Sequence, residues 1–130
     1  MVKILEARGW TLRLEPDPTG WCQVILQTGG RSVELGADKT DVIEERLAAG
    51  LADSLVGPVA GSIHGRPVRW VMSLAERHAT VYADDRAGVR ILSIQDAEGT
   101  LLGTFELSAA ERQAWLRTIG RPSNLAVSTE

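Results

Sequence analysis

The residues able to do chemistry are few and scattered. His64 and His78 are the only histidines in the 130-residue chain. No His-x-His and no His-Glu-x-x-His occurs, so the spacings that bring imidazoles onto one metal ion are missing. A site built from the two histidines and Asp84 or Asp85 can be drawn on paper, but polar histidines at strand ends account for both without it. Cys22 is the only cysteine and alternates with Val24 and Leu26 on an apolar face. Such surroundings favour the neutral thiol, and nothing nearby in sequence would stabilise a thiolate. Gly57, Gly61 and Gly65 lack the Gly-Lys-Ser/Thr of a phosphate loop and open no strong helix, so they read as a flexible connection. The acidic pairs Glu44-Glu45 and Asp84-Asp85 read as solvated neighbours, not as a general acid with its base. The residues therefore predict no enzyme, no metal and no cofactor.

Groups suited to binding are better represented. Arg66, Arg69, Arg77, Arg86 and Arg90 fall within residues 60–90, opposed there only by Glu76, Asp84 and Asp85. Residues 38–53 have the reverse balance, with Asp38, Asp41, Glu44, Glu45 and Asp53 against Lys39 and Arg46. Charge is thus segregated between a basic strand region and an acidic helix. If Trp70 and Ile91 face the core, Arg69 and Arg90 share the opposite, open sheet face. Such a face could hold phosphates or an acidic partner; the plainer alternative is arginine on the wet side of a sheet. Of four tryptophans, Trp10, Trp70 and Trp115 lie on apolar faces and are expected in the core. Trp21 is out of phase with Cys22, Val24 and Leu26, and is expected to be exposed as a stacking platform or a protein hot spot. Packing beneath its hairpin is the alternative. The expected binding set is Trp21, Arg66, Arg69, Arg77 and Arg90.

These residues must be carried by strands and two helices. Period-two alternation marks strands at residues 2–7, at Trp10–Leu14, at Trp21–Gln27 and at Ser32–Gly36, the last two joined by a Thr28-Gly29-Gly30-Arg31 turn. From Asp41 to Val56 the period becomes helical, with Ile43, Leu47, Leu51 and Leu55 on one stripe and Asp38 or Thr40 as cap. Gly50 costs about 1 kcal/mol inside that helix and marks a kink or a division into two. Strands follow at 59–64, at Val68–Leu74 (Val68, Trp70, Met72 and Leu74 on one face), at Thr80–Ala83, at Val89–Ile94 and at Leu101–Leu107. Turns are expected at Gly65-Arg66-Pro67, at 84–88 and at 96–99. Ser108-Ala109-Ala110-Glu111 has the form of a capping box. It opens a helix to Ile119 that packs Ala109, Arg112 by its stem, Trp115, Leu116 and Ile119, and stops at Gly120.

Composition bounds the class. Formal charge is -3, 44% of residues are hydrophobic, and no apolar run approaches the length of a membrane span. The chain is expected to fold as one α+β domain of antiparallel sheets over residues 1–120, with 121–130 as a loose tail. One cysteine leaves no disulfide framework and suits a reducing, cytoplasmic compartment. The acidity argues against a sequence-blind duplex DNA binder.

The halves repeat one plan. Ile25-Leu26, a hairpin, Val33-Glu34-Leu35 and a helix with Glu45-Arg46 form one copy, over 2–56. Ile91-Leu92, a hairpin, Phe105-Glu106-Leu107 and a helix with Glu111-Arg112 form the other, over 59–119. Two units of three or four strands closed by a helix resemble the layout of the Whirly and PC4-like superfamily. The opening Gly9-Trp10-Thr11-Leu12 resembles that of small uncharacterised cyanobacterial proteins of the same layout. The resemblance implies paired ββββα units, a sheet that binds single-stranded nucleic acid, and helix exchange in dimers; it carries no family binding residue onto this chain. A rival resemblance, from strands ending in a capped helix with an inward tryptophan, is to a pleckstrin-homology-like barrel, which does not account for the helix at 41–56. The expected function is that of a non-enzymatic accessory protein with a macromolecular partner. Single-stranded nucleic acid on a basic sheet face is the first expectation, and protein assembly or scaffolding by a homodimer the alternative.

Overall fold

The computed structural model describes residues 1–75 and 78–121. β1 (Lys3–Ala7), β2 (Trp10–Pro16), β3 (Trp21–Thr28) and β4 (Arg31–Lys39) form an antiparallel sheet in chain order and lead into α1 (Thr40–Leu51). β5 (Val59–Ile63), β6 (Arg66–Ser73), β7 (Thr80–Arg86), β8 (Val89–Gln95) and β9 (Leu101–Leu107) form a second, five-stranded meander that leads into α2 (Ala109–Ile119). The fold is therefore α+β, with two antiparallel sheets rather than one barrel. No helix among the described residues is long and apolar enough to cross a membrane.

Both sheets and both helices contribute to one core. Leu12, Leu14, Val24 and Leu26 of the first sheet cluster with Leu92, Ile94 and Phe105 of the second and with Leu47, Trp115 and Leu116 of the helices. Each helix also crosses to the other half: α1 packs on β6 and α2 on β1. Phe105 sits edge-on to Trp115 at 5.0 Å and to Trp10 at 6.3 Å, contacts worth about 1 kcal/mol each beyond burial. The Trp115 indole N–H donates to the Glu6 carbonyl at 3.0 Å, tying α2 to β1.

Several local expectations need correction. Pro16 ends β2 within the strand, because it lies beyond the last β1 pairing, where the ladder needs no donor on that side. α1 stops at Leu51 rather than Val56. Its final carbonyls are taken by side chains from elsewhere: Arg90 donates to Gly50 and Arg112 to Leu51, so the helix can end without a glycine cap. Neither Asp38 nor Thr40 caps its start: Lys39 is the N-cap with no side-chain bond, and the Thr40 hydroxyl donates to the Gly20 carbonyl. Gly50 stands against Val71, where an added Cβ would lie 2.9 Å from a methyl carbon. β6 begins at Arg66, so the turn is His64-Gly65. A bulge between Trp70 and Met72 breaks the expected alternation and buries both Val71 and Met72. β7 runs through Arg86, leaving Ala87-Gly88 as a two-residue turn. The capping box at Ser108 and Glu111 is formed, and Gly120 ends α2 at φ 90°, though Ala109 is exposed. Residues 122–130 of the expected tail lie outside the described residues.

Candidate binding groove

The short Ala87-Gly88 hairpin decides the faces of the second sheet. It sets Asp85 opposite Arg90, and Arg90 opposite Leu107. One row on, Ala83, Leu92 and Phe105 are opposite one another and buried. Arg90 therefore points to the helix side, with Leu92 and Ile94, and is 2% exposed. This corrects the expected open face, because Ile91, taken as a core residue, is the one that points outward. Inside, the Arg90 guanidinium meets the Asp85 carboxylate at 2.6 Å, the Gly50 carbonyl at 2.6 Å and the Asp53 carbonyl at 3.4 Å. The signal for this was present in sequence: opposite charges placed symmetrically about a two-residue turn.

The other expected residues do not come together either. Arg69 pairs in register with Ala83 on the helix side and donates to the Gly57 carbonyl. Arg66 lies on the outer face, bonded to Asp84 at 2.9 Å and to the Asp85 carbonyl. Arg77 lies outside the described residues. Trp21 is exposed, at 43%, but begins β3 of the other sheet, opposite Lys39. Trp70 is half-buried, with the Arg46 guanidinium 5.0 Å above its ring. Cys22 is buried, and burial, aided by Glu44, pushes its thiol up to about 11. Among the described residues, no three His, Cys, Asp or Glu side chains gather as metal ligands.

Sequence reading missed one concavity among the described residues. The outer side of the five-stranded sheet curls into a groove of about 280 Å³, with residues from every one of its strands. Ile63, Val68 and Ile91 supply apolar surface, Ser93 and Thr104 hydroxyls, and His64, Arg66, Asp84, Arg86 and Glu106 the polar rim. Val68 is only 3% exposed and Ser93 6%, so the floor is sunk although the helices pack on the opposite side. The rim arginines and carboxylates balance in charge. Asp84 is neutralised by Arg66, whereas the Arg86 guanidinium and the Glu106 carboxylate have no side-chain partner among the described residues. The weak sequence signal was the outward row Asp84, Ile91, Glu106, which becomes legible only once the register is fixed. No protein-family model, curated protein or solved structure matches this chain.

Proposed function

We propose that this chain is a non-enzymatic accessory protein that binds a segment of a partner protein in the outer groove of the five-stranded sheet. The observation that carries the reading is the groove itself: a floor of mixed apolar side chains and hydroxyls, Ile63, Ile91, Ser93 and Thr104, inside a charge-balanced rim, built by all five strands. Apolar surface ringed by polar groups is the usual anatomy of a protein-binding patch. The arginines that would have lined a phosphate-binding face are instead bonded internally, through Asp85, Asp84 and the Gly57 carbonyl. The reading is tested by affinity capture with the wild-type chain, with Ile91→Lys in the groove and with Gln23→Lys on the exposed face of the other sheet. A partner retained by wild type and Gln23→Lys but lost by Ile91→Lys is expected. Equal retention by all three would refute the assignment of the groove.

Single-stranded nucleic acid is the second reading. It is favoured by the order of strands then helix, twice over, although the second unit has five strands where the Whirly/PC4-like plan has four, and by exposed Trp21. Within that plan, Ile25 opposite Glu34 corresponds to Ile91 opposite Glu106, both outward, and Leu26 opposite Val33 to Leu92 opposite Phe105, both inward. Fluorescence anisotropy with labelled single-stranded DNA and RNA tests it. Binding at low salt that weakens steeply as salt rises would favour this reading over the first.

A further inference from the structure

Resting on the protein-binding reading of the groove, we propose that its occupant is an extended peptide with an acidic residue, an apolar residue two positions away and a basic residue four positions away. The two rim groups without a side-chain partner among the described residues set the pattern. Arg86 is two residues along β7 from Asp84, and Asp84, Ile91 and Glu106 form one row across β7, β8 and β9. Strands about 4.8 Å apart and residues about 3.4 Å apart along a strand place the Arg86 and Glu106 Cα atoms about 12 Å from each other, with Ile91 between them. In an extended peptide, side chains on one side recur every second residue, and residues four apart are separated by about 13 Å. The acid then meets Arg86, the base meets Glu106, and the middle side chain lies on Ile91.

Charge and shape both select this occupant. A polyanion would gain Arg86 but meet Glu106. A second copy of the chain, offering the same concave face, would leave the sunken floor around Val68 and Ser93 unfilled. A slender strand crossing from β7 to β9 lies along Ile91 and satisfies both charges. The two ionic contacts are solvent-exposed, so they select sequence more than they add affinity.

The test is selection of a random twelve-residue peptide library displayed on phage against the immobilised full chain, repeated with Arg86→Glu, Glu106→Lys and Ile91→Lys. Wild type is expected to enrich acid-x-apolar-x-base, in either chain direction. Arg86→Glu is expected to remove only the acidic preference, Glu106→Lys only the basic one, and Ile91→Lys to cut recovery at least tenfold. Peptides that bind in an Ile91-dependent way but ignore both charge reversals overturn this inference and leave the groove reading standing. Peptides indifferent to Ile91→Lys, or no enrichment over bare support, overturn both. Circular dichroism of each variant against wild type separates loss of the site from loss of the fold.

Discussion

Arg90 brings its charge into the core side of the second sheet and there closes α1 from outside, through the Gly50 and Asp53 carbonyls. Its ionic partner Asp85 is 57% exposed but the Arg90 side chain only 1%, so the carboxylate and the carbonyls together compensate a buried charge. Arg90→Leu is expected to cost about 3 kcal/mol in urea unfolding, since it strands buried carbonyls. Asp85→Asn is expected to cost about 3 kcal/mol as well, since it leaves the buried guanidinium without its counter-charge. A negligible cost for Asp85→Asn would contradict this account of the buried charge. Cys22 makes a second prediction at this scale. Its folded-state thiol is raised from 9.0 to about 11, so the folded state holds the proton more tightly than the unfolded chain. That contribution is complete below pH 9 and is lost as pH rises towards 11. Iodoacetamide at pH 8 should leave the native thiol largely unmodified and label it at once in urea; Cys22→Ala should flatten the alkaline fall in stability.

At the scale of elements, the most legible features were those written in local chemistry. The Ser108–Glu111 capping box was readable because a hydroxyl and a carboxylate three residues apart satisfy each other's backbone donors, at 3.1 Å and 2.8 Å. Ser108→Ala is expected to lower stability by about 1 kcal/mol. The Ser108 N–H, with Arg8 nearby, holds the Glu111 carboxyl below its ordinary 4.5. Its stabilisation is therefore present above pH 4.5 and is lost as pH falls through the lowered value. Glu111→Gln should make thermal unfolding less sensitive to acid, and an unchanged acid dependence would show that the box does not act in solution. Features fixed by distant contacts were not legible. The end of α1 depends on Arg90 and Arg112, the latter 61 residues away. Gly50, read as a weak point in a helix, is required by Val71. Gly50→Ala should therefore destabilise by about 1 to 3 kcal/mol through overpacking, despite a helix-propensity gain of about 1 kcal/mol. Adding Val71→Ala should cost less than the two single effects summed, as measured by a double-mutant cycle.

For the whole molecule, strand positions and two antiparallel sheets could be read from alternation, but the faces of the second sheet could not. A turn drawn over residues 84–88 leaves the register open by several residues, and a one-residue slip exchanges every inward and outward side chain. That exchange turned Arg90 from a core clamp into an apparent surface cation and hid Ile91, Asp84 and Glu106 as one outward row. The bulge at Trp70–Met72 had the same effect on β6. Once the register is fixed, the basic face dissolves into internal bonds and the charge-balanced groove takes its place. The most direct measurement is site-specific photo-crosslinking in the native cells, with benzoylphenylalanine placed at Ile91 and, in a parallel strain, at Gln23. A discrete protein adduct is expected from Ile91 and none from Gln23. Nucleic-acid adducts at Ile91, adducts from Gln23 alone, or no adduct from either position would contradict it.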